Sequence, residues 1–137
     1  MESARMTIEG DHIRKITDIL CHKENICYKY NAKDVVILME EEYYMRIESN
    51  LLSVYILNFK DERTVETEMV AGGGKSGGDI GWGAENSENR KRVHSIIEIC
   101  SQNSWSILEV YPERLKQSLE KSDVQRLMES VFPWFKK

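Results

Sequence analysis

The chain has 137 residues and a mass of 16.0 kDa, and 41% of its residues are hydrophobic and 31% are charged. A chain of this length and composition is typical of one globular domain with a sizeable core, which excludes a disordered or fibrous protein. The net charge is −4, and the 19 Lys and Arg residues are scattered rather than clustered. We therefore expect no nucleic-acid partner, because non-specific binding requires many neutralised phosphates.

The sequence also argues against a membrane protein. The longest apolar run, Val35–Met39, is far shorter than the ~20 residues of a membrane-spanning helix. Residues 1–5 lack the apolar core of a signal peptide. The chain has three cysteines, an odd number, and no Cys-x-x-Cys spacing: Cys21, Cys27 and Cys100. This predicts free thiols in a reducing compartment. We expect a soluble, cytoplasmic protein without a membrane partner.

The first predicted element is a helix over residues 11–23. Ile13, Ile16 and Leu20 recur at helical spacing, and Asp11 is suited to cap the first turn. Alternating apolar residues and intervening turn residues then predict four strands, over residues 26–30, 35–46, 52–57 and 64–71. Short turns between successive strands predict an antiparallel meander.

The second half of the chain is predicted to be mainly helical. A helix begins at Asn86 or Ser87 and stops near Asn103, and a short strand over residues 105–110 follows. Pro112 suits the start of a further helix, and a capping-box spacing starts another at Ser122. The predicted fold is a single α+β domain, a two-layer sandwich in which helices cover one face of a four- to five-stranded antiparallel meander. Its core is residues 8–110 and its C-terminal helical extension is residues 111–137.

The extension ends in an aromatic tail. Its apolar residues, which include Val131, Phe132, Trp134 and Phe135, exceed what two short helices can bury between themselves. We expect them to pack on the domain, and a homodimer contact is an alternative.

Residues 72–83 are compositionally unusual because they hold seven of the eight glycines in the chain. Gly74-Lys75-Ser76 resembles part of a phosphate-binding loop, but Met69 stands where that motif needs its first glycine. The motif also requires a helix directly after Ser76, where two more glycines follow instead. A nucleotide-hydrolysing loop is therefore disfavoured.

The same segment fits a simpler anion site, in which glycine backbone amides line a pocket. Gly72, Gly73, Gly74, Lys75 and Ser76 are the candidate ligand-binding residues. The alternative is a bulged or mobile connection between a strand and a helix.

Two residues beyond these glycines are further candidates. Trp82 can stack on a ligand or pin the segment to the core, and Glu85 can act as a base or complement a helix N-terminus. The choice between these roles stays open at this point.

Other groups that can carry chemistry have simpler explanations. His12, His22 and His94 lack the spacing of a zinc helix, so no metal or cofactor is expected. Cys100 lies on the apolar face of its helix, where burial is expected. Of the consecutive glutamates, Glu40 and Glu42 share one face of their strand, and we expect solvation or contact with a cation.

An aromatic and basic sequence follows those glutamates. Tyr43, Tyr44 and Arg46 can form a recognition surface, and cross-strand packing explains them equally well. They complete the candidate ligand-binding set.

The order of helix, meander, glycine-rich segment and helix, together with three motifs, resembles a family of small bacterial domains of unknown function. The motifs are Glu-Tyr-Tyr-Met-Arg at 42–46, Gly-Gly-Gly at 72–74 and Trp-Gly-Ala-Glu at 82–85. The resemblance covers about residues 8–104 and excludes the C-terminal helices. It implies no activity, cofactor or catalytic residue.

These features favour a non-enzymatic ligand-binding or regulatory module that uses the glycine-rich segment. Its partner is a small anionic ligand or a protein. One alternative is an enzyme acting on a small anionic substrate, with Lys75 as the electrostatic group and Glu85 as base. The other is a homo-oligomeric structural protein assembled through the aromatic tail.

Overall fold

A computed structural model describes residues 2–44, 49–73, 80–113, 131 and 133. The elements in chain order are β1 (Glu2–Glu9), α1 (Lys15–Lys23), β2 (Ile26–Asn31), β3 (Val35–Tyr44), β4 (Ser49–Phe59), β5 (Thr64–Gly73), α2 (Ile80–Gln102) and β6 (Ser106–Tyr111). The α+β class is as predicted. The sheet has six strands, however, rather than four to five.

The strand order is β2-β3-β4-β5-β1-β6, and every neighbouring pair is antiparallel. The predicted meander is confirmed, because β2 to β5 are consecutive both in the chain and in the sheet. The missed strand is β1, which enters between β5 and β6. Its residues Ala4, Met6 and Ile8 are buried and alternate with Arg5, Thr7 and Glu9, so the period-two signal of a strand was present in the sequence and was missed.

The first helix begins later than predicted. Asp11 is not its cap: α1 starts at Lys15, with Arg14 at the N-cap position and no capping side chain. His12 has φ 58°, a left-handed conformation that a helix does not accommodate. The Asp11 carboxylate instead pairs with Arg63, and its carbonyl accepts a hydrogen bond of 2.7 Å from Trp105 Nε1.

The glycine-rich segment is shorter than predicted, because regular structure extends into it from both sides. Gly72 and Gly73 belong to β5, where they pair with Leu52 and Leu51. The second helix begins at Ile80 rather than Asn86 or Ser87, so residues 81–85 are helical. A helical glycine costs about 1 kcal/mol relative to alanine, which is small enough for tertiary context to override. Residues 74–79 lie outside the described residues.

The end of α2 is close to the predicted Asn103. Ser104 has φ 58°, and Trp105 N donates to Cys100 O at 2.9 Å, which is the hydrogen-bond pattern of a Schellman cap. This turn brings the Trp105 ring against Gly10, where an added Cβ would lie 2.1 Å from Trp105 Cδ1.

The core lies on one face of the sheet and includes side chains of both helices. Its buried side chains come from alternate strand positions, from the turn before α1, from the apolar faces of both helices and from the turn after α2. They include Met6, Ile8, Val36, Leu38, Tyr55, Leu57, Phe59, Val65, Met69, Ile13, Ile16, Leu20, Val93, Ile96, Ile97, Cys100 and Trp105. The alternation predicted for residues 64–71 is confirmed, because Val65, Thr67 and Met69 are buried.

Most of the C-terminal extension lies outside the described residues, including the predicted helices after Pro112 and Ser122, and Trp134. Val131 is described as helical, is 1% exposed and belongs to the same core cluster as both helices. Within the described ranges, neither helix combines the length and hydropathy needed to cross a membrane.

Candidate functional site

The described parts of the two unusual sequence segments lie at the same end of the sheet. β3 pairs with β4 as far as Tyr44 opposite Ser49, and β4 pairs with β5 as far as Leu51 opposite Gly73. Glu42, Leu51 and Gly73 therefore stand in one row across three strands. Two strand spacings, about 10 Å, separate Glu42 from Gly73.

The predicted site residues fall into three groups. Gly72 is buried and Gly73 ends β5, so both are part of the sheet. Tyr43 and Tyr44 end β3, and Trp82 and Glu85 lie in the first turns of α2. The others, Arg46, Gly74, Lys75 and Ser76, lie outside the described residues. A single site that combines all of them stays a prediction.

The long helix leads toward this end of the sheet. Its last turns lie near Gly10, through Trp105, and Gly10 directly follows the end of β1 that pairs with Thr64. Arg92, further back in α2, contacts Glu40, which stands in one row with Ser53 and Ala71. The 12 residues of α2 that precede Arg92 amount to about 18 Å of helix. The N-terminal half of α2 therefore lies toward the end at which β3 and β5 leave the sheet.

A polar cluster is buried just inside that end, and we call Glu24, Glu40, Tyr55, Arg92 and Ser95 the buried polar cluster. Arg92 is 2% exposed and forms ion pairs with Glu40 and, at 3.4 Å, with Glu24. Glu24 Oε1 accepts hydrogen bonds from Ser95 Oγ at 2.9 Å and from Tyr55 Oη at 3.5 Å.

The cluster connects four elements. Glu24 is the C-terminal cap residue of α1, Glu40 belongs to β3, Tyr55 to β4, and Arg92 and Ser95 to α2. Asn25 N also donates to Glu40 Oε2 at 2.8 Å. These contacts fix the position of α2, which packs over β5, β1 and β6, relative to α1, β3 and β4.

Burial sets the electrostatics of the cluster. It raises the pKa of Tyr55, and the neighbouring Glu24 carboxylate raises it further. Burial lowers the pKa of Arg92, and the Glu24 carboxylate opposes that change. Tyr55 therefore acts as a neutral hydrogen-bond donor and Arg92 as a buried cation that holds two carboxylates.

One buried hydroxyl beside the cluster is unsatisfied. Ser53, 4% exposed, is the cross-strand neighbour of Glu40, and its Oγ has no hydrogen-bond partner among the described residues. A buried hydroxyl without a partner is unfavourable. The interior next to the predicted site is therefore polar, and its hydrogen-bonding groups are not all satisfied.

The sequence patterns indicated this cluster only in part. Contact with a cation was one of the outcomes expected for Glu40, and Arg92 is that cation. Arg92 itself was missed, although Arg92, Ser95, Ile96 and Ile99 have the i, i+3, i+4, i+7 spacing of one helix face. An arginine on the helix face that carries Ile96 and Ile99 is the local signal that could have identified it.

The remaining chemical groups do not form a second site in the described part of the chain. Cys100 is buried, and desolvation raises the pKa of its thiol, which disfavours the nucleophilic thiolate. The three thiols are free. No group of three or more His, Cys, Asp and Glu residues suited to a metal ion occurs among the described residues.

No family model, curated protein or solved structure matches the chain. The resemblance to a family of small bacterial domains therefore stays a prediction.

Proposed function

We propose that this chain is a non-enzymatic ligand-binding or regulatory module of the cytoplasm. Its site lies at the end of the sheet where β3 and β5 terminate, and it takes a small anionic ligand. In this arrangement the helices form the second layer of a two-layer sandwich, and α2 contributes its N-terminal half to the site.

The observation that carries the proposal is the row formed by Glu42, Leu51 and Gly73. It brings the ends of β3 and β5, at Tyr44 and Gly73, to one end of the sheet, and Arg46 and Lys75 each follow within two residues along the chain. Glycine amides and the N-terminus of a long helix both favour a bound anion, and Arg46 and Lys75 add positive charge.

The buried polar cluster supports the proposal from below. Binding sites are more effective when rigid elements hold the contacting groups, since less conformational entropy is lost on binding. Arg92 ties α2 to Glu40 and Glu24, and thereby fixes the helix that follows the glycine-rich segment. The free thiols of Cys21, Cys27 and Cys100 are consistent with a reducing compartment.

A thermal-shift experiment on the full chain tests the proposal. Phosphate, sulfate, small carboxylates and nucleotides are each compared with chloride at equal ionic strength. A ligand present at about 100 times its Kd stabilises the folded state by ~2.7 kcal/mol, so a true ligand raises the Tm measurably. Incubation of any such ligand with the protein, followed by chromatography, separates binding from turnover.

Matched charge variants locate the binding. Lys75→Gln and Arg46→Gln should each reduce the ligand-induced rise in Tm. Lys60→Gln is the control, because Lys60 is exposed in the turn between β4 and β5, at the opposite end of the sheet. The proposal is wrong if no anion exceeds chloride, or if Lys60→Gln reduces the shift as much as the other two variants. Conversion of the ligand would favour the enzyme alternative.

A further inference from the structure

The side of the sheet opposite the core presents an apolar surface that no described residue covers. β3 is apolar at five consecutive positions, Val35–Met39. Val36 and Leu38 are buried in the core, whereas Val35, Ile37 and Met39 are only half-buried on the other face. Continuous apolar runs are typical of strands that are covered on both faces, and one-sided strands alternate with polar residues instead. We call this second side of the sheet the open face.

The apolar part of the open face continues across neighbouring strands. One row contains Tyr28, Met39, Val54 and Val70, and the adjacent row contains Tyr30, Ile37 and Ile56. Tyr28 is 52% exposed and Tyr30 is 49% exposed. Contiguous exposed apolar surface of this kind commonly marks an interaction site.

Toward the other edge of the sheet, the second of these rows and the row beyond it become acidic, whereas the first row continues to Ser3. Ile56 is followed by Glu68, and Asn58 is followed by Glu66, Thr7 and Glu109. A cleft of about 400 Å³ opens there, and its charged lining consists of Glu66, Glu109, Glu113 and Arg5. Arg5 is already paired with Glu68 at 3.6 Å, so carboxylates dominate this half of the face.

We propose that the open face docks a segment of a partner protein that combines an apolar stretch with Lys or Arg side chains. The apolar stretch covers the half of the face formed by β2, β3 and β4. The basic side chains enter the acidic cleft lined by β1, β5 and β6. This surface is separate from the proposed anion site, which lies at the end of the sheet, and neither proposal depends on the other.

Charge complementarity selects this occupant over a second copy of the chain. A second copy has a net charge of −4 and the same acidic cleft. Its open face therefore does not supply the positive charge that would complement the cleft of the first copy. A basic amphipathic segment complements both the apolar half and the acidic half of the open face. The six strands span about 24 Å, a length that an amphipathic helix of about 16 residues matches.

Two labelled synthetic peptides of about 16 residues provide the probe. Both carry the same leucine face, and one has lysines toward one end where the other has glutamates. Fluorescence anisotropy with the full chain should give a Kd for the lysine peptide at least tenfold lower than for the glutamate peptide. Higher ionic strength should weaken the lysine peptide's binding, because exposed charges are screened.

Variants of the open face then identify the surface. Ile56→Thr keeps a β-branched side chain and should weaken binding of the lysine peptide roughly fivefold or more. Glu66→Gln should weaken it about two- to fivefold. Glu62→Gln is the matched control, because Glu62 is exposed in the β4–β5 turn and outside this face. Ile37→Thr replaces Ile56→Thr if the latter does not fold.

Three results would overturn the proposal. The first is equal affinity for the two peptides or no binding of either. The second is unchanged affinity in the folded Ile56→Thr or Ile37→Thr protein. The third is light scattering that gives a dimer for the full chain and a monomer for the folded Ile56→Thr or Ile37→Thr protein, since a second copy would then occupy the face.

Discussion

At the scale of single residues, Arg92 is the most consequential polar side chain in the described part of the chain. It is 2% exposed and contacts two carboxylates from different elements. A buried ion pair is weak evidence for stability, because desolvation of the charges offsets their attraction. The ion pairs instead fix the position of α2, since Glu24 and Glu40 accept the guanidinium only when α2 lies in one place relative to α1 and β3.

Close packing leaves no space for a side chain at Gly10. Its N–H donates to Arg63 O at 2.8 Å, and the Trp105 ring occupies the space that a Cβ would take. Gly10 is thus held between the β4–β5 turn and Trp105, so a methyl group at position 10 forces Trp105 away from the end of β1.

Gly10→Ala is therefore expected to lower the free energy of unfolding by about 1–3 kcal/mol, the usual cost of overpacking. Urea denaturation followed by tryptophan fluorescence measures the change. Ser3→Ala is a control, because Ser3 is exposed in β1, and it should alter stability by no more than about 0.5 kcal/mol. Equal stability of Gly10→Ala and the wild type would show that Trp105 moves aside without cost.

At the scale of elements, β1 is a structural strand rather than a terminal appendage. It pairs with β5 along Glu2–Glu9 and with β6 along Arg5–Glu9. The last strand, β6, is thus attached to the sheet only through β1 among the described strands. The first nine residues consequently hold β6 in the sheet.

Met6→Ala tests this role, because Met6 is fully buried where β1 faces the core. The loss of a large core side chain predicts a decrease of about 2–5 kcal/mol in the free energy of unfolding. Arg5→Ala, the neighbouring substitution on the open face, should cost less than about 1 kcal/mol, since its ion pair with Glu68 is largely exposed. Similar costs for the two variants, measured by denaturant titration, would contradict the assigned facing of β1.

At the scale of the whole molecule, the C-terminal extension contributes to the core at Val131. This residue is 1% exposed and belongs to the cluster that contains the apolar faces of α1 and α2. The extension was expected to dock on the domain because its apolar residues are too numerous to remain in water. Val131 is the described point at which such a contact exists.

Val131→Ala should lower the free energy of unfolding by about 1–3 kcal/mol, as for other buried aliphatic truncations. Pro133→Ala is the nearby comparison, because Pro133 is exposed, and it should have a smaller effect. Removal of all residues after Tyr111 should lower the Tm or the solubility further. A truncated protein as stable and soluble as the full chain would show that the extension is independent of the core.

The strands whose sequence alternates were predictable because side-chain orientation in a strand has a period of two. Residues 64–71 alternate between apolar and charged side chains, and β5 has its buried and exposed faces as expected. The meander followed from turn residues between these strands. The meander also implied that β3 and β5 end on the same side of the sheet, and the register places Glu42, Leu51 and Gly73 in one row there.

The sequence by itself thus determined the α+β class, the meander and the burial of Cys100, since all three depend on local periodicity and short connections. Only the tertiary structure decided that β1 enters between β5 and β6, and that Arg92 reaches Glu24 across 68 residues of sequence. The physical reason is that pairing and burial between distant segments depend on the free energy of the whole fold. Residues that meet only after folding have no shared pattern in the sequence.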